Sequence, residues 1–474
     1  MITPTLTKKL KQHPVIKAAY QISQRVETPV YLVGGAVRDL LMGILPEKDF
    51  DFVTENHLEK AARLFSRIVS GSLIRWSSDP PNYRVIFYWK NNRTEVDFSG
   101  FRGDDLYQDL AERDFTVNAI ALMVNELFNG ADLKLYDPLE GKEDLQKRIL
   151  RTTSSHSFDK DPLRILRAIR IAIARNLTID FKTREEIRCQ KERLRLVAAE
   201  RIRSEFFKII SFPGAKDSLK LLEELGLLSL LIPETEYLKV RDMGESQSLS
   251  LWEHSLETVS WCEWVLDYRG EIFSGFQENL KSHFYEEIEA DVDRYCLLKL
   301  GGLLHDVEES SREKGGRNVV GKVVRRFKLG KRANRILRKL VEYYRRPLHL
   351  LQLERVNTQA YFRFFRDLGP EGLDVLVLSW ADFISQQPER FETPLDLKFR
   401  NLINSLMNYY LREYLITSPQ PLISGKDIIE KFGLKEGEII GNLLNQIASA
   451  EAEGCLSSRK EAFLYLGNLI KKMG

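Results

Sequence analysis

Two aspartates spaced two residues apart, Asp49 and Asp51, lie just downstream of a Gly34-Gly35 pair and of Arg38 and Asp39. The apolar residues Tyr31, Leu32 and Val33 predict a strand running into the glycines. A helix carrying Arg38 and Asp39 follows, and a turn containing Pro46 leads to a second strand. Residues i and i+2 of a strand face the same side. Asp49 and Asp51 can therefore share divalent cations, and glycine lets a backbone approach a polyphosphate closely. An isolated Gly-Gly is a turn and an isolated Asp-x-Asp a solvated strand end. In this order and spacing they point to metal-assisted nucleotidyl transfer. Glu95 and Asp97 repeat the i, i+2 spacing on a later strand. Asp97 is the preferred third acidic group, with Glu95 as the alternative. Several carboxylates are needed because two cations bring substantial charge, one activating a hydroxyl and one neutralising the triphosphate.

The segment from Gly34 to Asp51 resembles the first motif of the class II tRNA CCA-adding and bacterial poly(A) polymerase family, whose head is polymerase-β-like. That motif is Gly-Gly-x-x-Arg-Asp followed by Asp-x-Asp. The resemblance implies that Asp49 and Asp51 hold Mg2+ as a two-ion site, and that Gly34, Gly35, Arg38 and Asp39 serve nucleotide binding. Arg113, Asp114 and Asn118 match the family's Arg-Arg-Asp-Phe-Thr-x-Asn-Ala motif, which recognises ribose and phosphates. Asp114 and Asn118 would share a helix face. An acidic Asp114 can accept from a ribose hydroxyl and Arg113 can meet phosphate. The family's first arginine is replaced by Glu112. Asp161 and Arg164 match the base-reading Glu-Asp-x-x-Arg motif, with Lys160 in place of the glutamate. An acceptor and a fork-shaped donor one turn apart suit the amino group and ring nitrogen of cytosine and adenine, not guanine or uracil. Arg167 and Arg170, on the same helix, are candidate phosphate contacts, and Pro162 fits the first helical turn. Glu200 to Glu205 resembles a bracing neck helix.

Only fifteen residues, Phe98 to Glu112, separate Asp97 from Arg113. Family members that add all of CCA carry a longer flexible loop here. A short one resembles the CC-adding members, and both outcomes stay open at this point. Further along, His254, His305-Asp306 and Asp382 follow the order of HD-domain metal phosphohydrolases, a ligand set able to hold one or two divalent metals. Val307-Glu308-Glu309 and an apparent insertion from Phe273 to Asp291 depart from active members. They favour an inherited RNA-binding fold with weak or no hydrolysis.

These residues need a rigid frame. The first ~150 residues read as mixed α and β, with two strands around a turn at Lys90 to Arg93. From Asp161 onward amphipathic helical runs dominate. The expected class is α+β: a nucleotidyltransferase head (1–150), an all-α neck with the base-reading helix (151–215), an HD-like helical body (216–417) and a helical C-terminal module (418–474). Pro213-Gly214 breaks the chain after the neck, and Ser418 to Pro421 is the expected later linker. Gly425, Asp427, Gly433 and Gly437 match the turn pattern of the family's last module.

The chain has 474 residues, 43% hydrophobic and 29% charged. It is long enough for several cores. No apolar run approaches the ~20 residues of a membrane span, and the N-terminal stretch lacks the apolar core of a secretory signal. Four scattered cysteines form no Cys-x-x-Cys pair. A cytoplasmic protein is expected. The net charge of +3 hides an asymmetry: Arg312 to Arg346 carries fourteen Lys and Arg against Glu313 and Glu342, a local +12. With so few acidic neighbours in sequence, this run reads as a polyanion site. Arg325, Arg326, Lys328, Lys331, Arg332 and Arg335 are its candidate RNA contacts. The expected partners are a tRNA acceptor arm, CTP with or without ATP, no membrane, and a separate A-adding enzyme if addition stops at CC. The rival readings are a poly(A) polymerase, an HD phosphohydrolase and a non-catalytic RNA-binding protein.

Overall fold

Alternating apolar residues in the N-terminal third build a seven-stranded sheet: β1 (Val30–Val33), β2 (Asp49–Thr54), β3 (Ser72–Ser78), β4 (Pro81–Trp89), β5 (Asn92–Gly100), β6 (Ala121–Met123) and β7 (Leu135–Tyr136). Their order is β3-β4-β5-β2-β1-β6-β7. All neighbours are antiparallel except β2 and β5. A computed structural model describes residues 3–473 apart from 79–80, 130–133, 240–249, 268–272, 274, 308–317, 354–355, 387–388, 390, 416–421, 435–436, 453–455 and 457. The chain forms two units: 1–212 with 220–230, and 213–219 with 231–474. The sheet and the helices of the neck fall in the first.

One face of the central strands is apolar. Phe50 and Phe52 of β2 are buried, with Val96 and Phe98 of β5, and the helix Leu58–Val69 brings Phe65 against them. The Phe65 and Phe98 rings lie edge to face at 5.1 Å. Each such ring contributes roughly 1.5–3 kcal/mol on burial, which fixes the register and turns Asp49 and Asp51 to the opposite face. The hairpin between β4 and β5 closes with two residues, Lys90 and Asn91, both at positive φ (50° and 63°). This is the backbone that a two-residue hairpin needs.

The neck helices Arg164–Arg175 and Ala199–Ser211 pack together. The structure corrects three local expectations. Asp114 and Asn118 are not on an α-helix, because Phe115 is extended and Thr116–Asn118 forms a single 3-10 turn. The base-reading helix starts at Arg164, leaving Asp161 extended and Pro162 ahead of the first turn. Strands do not end at Asp161: Thr178–Ile179 pairs with Ile149–Leu150, and Glu287–Glu289 pairs with Val292–Asp293. These strands are two or three residues long, too short for a period of two to register.

In the second unit the helices Leu251–Asp267, Arg294–Leu304, Lys331–Tyr343 and Glu371–Gln386 pack on one another. Glu371–Gln386 is buried from Glu371 through Ser385, so its polar residues must find partners inside. The last helices enclose Ile428, Leu443, Ile447 and Leu466. The helix Gly425–Phe432 opens on a reciprocal Ser424/Asp427 cap and closes at Gly433 with φ 64°. The expected linker at Ser418–Pro421 lies outside the described residues. Among the described residues no helix is long and apolar enough to cross a membrane.

His13 ties the first helices to the sheet. Its Nδ1 accepts from Val15 N at 3.3 Å, capping the helix Pro14–Val26, and its ring packs 4.9 Å from that of Phe50. Burial, reinforced by Lys90, lowers its pKa to about 4. Protonation would remove the capping lone pair. The unfolded chain takes up this proton below about 6.5 and the fold only near 4, so stability present above pH 6.5 is lost as pH falls between those values. The expected loss is about 3 kcal/mol. It should largely disappear in His13→Asn, measured as the difference in unfolding free energy of the first unit between pH 7 and pH 4.5.

Candidate active site and metal centres

The parallel pairing of β2 with β5 sets Asp51 opposite Asp97 and Asp49 opposite Glu95. Four carboxylates therefore share one face of two adjacent strands. They are not equivalent. Arg84, on β4, donates to both oxygens of Asp97 at 2.8 Å and reaches Glu95 at 2.8 Å. Arg93 adds a second pair to Glu95. Asp49 and Asp51 have no ion-pair partner among the described residues. Water reaches both side chains while protein walls their other sides. Desolvation by that wall raises the Asp49 pKa, and Glu95 and Asp97 add to the rise. Asp51 is raised first for the same reason; Arg113 offsets part of it, and Asp97 and Asp49 push it further. Two uncompensated carboxylates on one face fit a divalent cation. Asp97, expected as the third acidic group, is held by Arg84 and would have to share or release it.

Gly34 ends β1 with φ 72° and ψ −141°, a conformation open to glycine. A Cβ there would also stand 3.0 Å from Asp51 Oδ2 and 3.5 Å from Arg113 Nη1. Gly34, Asp51 and Arg113 thus converge on one spot. Arg113 keeps Nε and Nη2 on the buried Asp109, at 3.2 and 2.9 Å, leaving Nη1 toward Gly34.

Several expected nucleotide contacts are instead engaged with one another. Asp39 accepts from Arg38 Nε at 2.9 Å and from Arg175 at 2.8 and 2.7 Å. Arg38 Nη1 donates to Asn118 Oδ1 at 2.9 Å, and Asn118 Nδ2 donates to Asp114 Oδ1 at 2.9 Å. Asp114 Oδ2 takes Arg167 Nε and Nη2 at 3.0 and 2.7 Å. Burial works against ionising Asp114, but Arg167 and the Asn118 hydrogen bond outweigh it and hold its pKa well below the usual range. Arg167 is therefore a structural counter-charge here and not an open phosphate contact. Arg170 is likewise bound, to Glu205 at 2.6 Å. Arg164 donates to Glu112 O, Arg113 O and Ser157 Oγ at 3.1, 3.3 and 3.0 Å. Asp161 Oδ2 accepts from Arg201 at 2.8 Å, within the neck helix. Arg84 and Arg175 had no signal in the sequence, because each acts through a partner 13 or 136 positions away; Asp109, four residues before Arg113, was missed as well.

In the second unit, His254, His305 and Asp382 converge. The two Nε2 atoms are 3.2 Å apart and lie 3.0 and 3.2 Å from Asp382 Oδ1; Asp306 Oδ2 is 3.4 Å from both. His305 Nδ1 donates to Gly302 O at 2.7 Å, which turns Nε2 toward Asp382 and makes it a lone pair only when the ring is neutral. Ser385 Oγ, bonded to Asp382 O, sits 3.1 Å from His254 Nδ1. The ligand atoms of His254, His305 and Asp382 lie close enough together to hold a metal ion. Burial opposes protonation of His305, but Asp306 and Asp382 overcome it and raise its pKa. Tyr344 donates to Asp306 at 2.7 Å.

The basic run is partly neutralised. Arg326 pairs with Glu234 at 2.8 Å, Arg332 with Glu286 at 2.5 Å, and Arg335 and Lys339 with the buried Glu371 at 3.0 and 3.1 Å. The inference from few acidic neighbours in sequence is corrected: the acids come from other helices. Of the six candidates, Arg325 and Lys331 have no ion-pair partner among the described residues. Part of the run, 312–317, lies outside them.

Comparison with known proteins gives matches to the poly A polymerase head domain over residues 30–151, and to the probable RNA and SrmB-binding site of polymerase A over 176–238. A CC-adding tRNA nucleotidyltransferase of Synechocystis is 30% identical, with 93% of each chain covered. An A-adding tRNA nucleotidyltransferase of Deinococcus radiodurans is 29% identical over 91% of this chain and 93% of its own. The solved structure of a CCA-adding enzyme shares the fold with a TM-score of 0.63 at 22% identity, covering 98% of this chain and 96% of that one.

The raised carboxylates carry a measurable cost. A carboxylate whose pKa is higher in the fold is accommodated when protonated and destabilises as it ionises, so metal-free stability falls as pH rises through that value. Asp51→Asn should raise the metal-free melting temperature of the first unit by about 2–4 °C at pH 7.5. A millimolar divalent cation should stabilise the wild type more at pH 7.5 than at pH 5, and Asp51→Asn at neither. Scanning calorimetry at both pH values checks this.

Proposed function

The chain belongs to the tRNA nucleotidyltransferase and bacterial poly(A) polymerase family, and on that premise we propose how its residues divide the work. It is a template-independent tRNA nucleotidyltransferase, extending tRNA 3′ ends from CTP or ATP. The observation that carries the site assignment is the unneutralised pair Asp49 and Asp51, in a unit where Asp39, Asp97, Asp109 and Asp114 all have arginine partners. In our reading these two carboxylates hold Mg2+ as a two-ion site, with Asp97 as an additional acidic neighbour. The ions, when bound, activate the RNA 3′ hydroxyl and neutralise the departing pyrophosphate.

Gly34 and Gly35 admit the triphosphate, and Arg113 Nη1 meets one of its oxygens. Asp161 and Arg164 read the base edge, while Arg38, Asp39, Asn118 and Asp114 hold the pocket wall. Arg167 and Arg170 fix the base-reading helix. Arg325, Lys328 and Lys331 touch tRNA phosphates, supplying affinity without sequence information. His254, His305, Asp306 and Asp382 hold a second divalent cation, as support for the body or as the remnant of a phosphohydrolase site. A cytoplasmic location belongs to the same proposal.

We propose further that addition stops at CC. Between β5 and the helix Leu106–Ala111 only Phe101 to Asp105 are outside regular structure. That leaves no long flexible element to reshape a base pocket between cytosine and adenine. The A-adding relative supports a second reading, addition of the terminal A.

Three reactions separate these readings: tRNA lacking CCA with CTP, the same with CTP and ATP, and tRNA ending in CC with ATP. A stop at CC in the first two and no reaction in the third is expected. Completion in the second would overturn the short-loop argument, and extension only in the third would assign A addition. Asp49→Ala/Asp51→Ala should abolish all extension, by at least ~10³-fold. Asp161→Ala and Arg164→Ala should blur CTP over GTP choice more than they weaken cation binding. Unchanged selectivity would sink that assignment. His305→Ala should lower bound metal by about one ion per chain in elemental analysis, with extension retained.

A further inference from the structure

The base-reading guanidinium of Arg164 is held by two separate stretches of backbone. One offers Glu112 O and Arg113 O. The other offers Ser157 Oγ and Ser157 O, at 3.0 and 3.4 Å. Nothing in either stretch alone sets the gap between them. That gap is spanned by hydrogen bonds from Ser157 Oγ to Asp114 O and from Thr153 Oγ1 to Arg113 O, at 3.1 and 2.6 Å, and further along both stretches by an ion pair: the Lys160 ammonium donates to the Glu112 carboxylate across 48 residues of chain. Glu112 caps the helix Leu106–Ala111 and immediately precedes Arg113; Lys160 ends the helix Ser157–Lys160 and immediately precedes Asp161. The pair therefore joins the residue before the phosphate-facing arginine to the residue before the base acceptor.

These are also the two positions at which the chain departs from its family's motifs. Where the pattern has arginine, residue 112 is acidic; where it has glutamate, residue 160 is basic. Each departure alone would put like charges face to face. Together they keep one attraction with its sign reversed. We propose that Glu112 and Lys160 form a strap of inverted polarity that sets the position of Arg164 and Asp161, and so helps to determine which nucleotide is accepted. The proposal rests on the reading that Arg164 and Asp161 face the incoming base. Both members are positioning residues, since neither is placed against the substrate.

Their side chains are 39% and 43% exposed. An ion pair this open contributes little to global stability. Its removal should therefore leave the fold intact and act on geometry, where small displacements are costly. This makes a charge-reversal cycle informative.

The test compares the wild type with Glu112→Lys, Lys160→Glu, the double reversal and Arg164→Ala. kcat and KM are measured separately for CTP, ATP, GTP and UTP on a tRNA lacking CCA, and melting temperatures are recorded. Each single reversal is expected to lower the CTP-over-GTP ratio of kcat/KM by about tenfold, with melting unchanged within about 2 °C. The double reversal should recover the wild-type ratio within about threefold. Single reversals that keep wild-type selectivity, or a double reversal no better than the singles, would overturn the strap. If a single reversal fails to fold, the double decides: a folded double with wild-type selectivity supports the coupling, and a folded double without it refutes it. Unchanged selectivity in Arg164→Ala would instead refute the base-reading assignment itself, whatever the reversals do.

Discussion

The first unit is organised around a closed loop of buried polar contacts. It leaves the helix Arg164–Arg175 at Arg167, passes through Asp114, Asn118, Arg38 and Asp39, and returns to the same helix at Arg175. Buried charge is tolerated only when paired and hydrogen-bonded. Each member therefore depends on the next, and loss of any one leaves another unpartnered. The loop joins the helix after the glycine turn, the 3-10 turn at Thr116–Asn118 and the helix Arg164–Arg175 into one piece. Segments far apart in the chain are thereby held at fixed separation.

Against this background Asp49 and Asp51 stand out by what they lack. Phe50 and Phe52 pin β2 from the apolar side, and the parallel pairing with β5 brings two further carboxylates alongside. Arg84 neutralises those neighbours and leaves the β2 pair exposed to mutual repulsion. The fold thus concentrates uncompensated negative charge on this face. In the second unit two imidazole rings, held at Nδ1 by Gly302 O and Ser385 Oγ, face two buried carboxylates.

The basic run at 312–346 teaches the opposite lesson. Its excess of +12 is a statement about one stretch of chain. In space, Glu234, Glu286 and Glu371 answer Arg326, Arg332, Arg335 and Lys339. What remains to attract a polyanion is a smaller set that includes Arg325 and Lys331. A linear charge count overstates a surface whenever the compensating acids lie on other helices.

Some of this was decided by the chain alone. The i, i+2 spacing of Asp49 and Asp51 fixes their shared face, and the glycine at 34 fits both a φ of 72° and the nearness of Asp51. The order of His254, His305-Asp306 and Asp382 was likewise legible, since such signals depend on local geometry or on residue identity. The tertiary structure decided the rest. It assigned Arg167 to Asp114 and Arg170 to Glu205, tied Asp97 to Arg84, and turned two apparent motif defects, Glu112 and Lys160, into partners. No periodicity could reveal those choices, because an ion pair between residues 13 to 53 positions apart is a property of folded distance. Local sequence dictates which way a side chain points from its strand or helix; only packing dictates what stands opposite it.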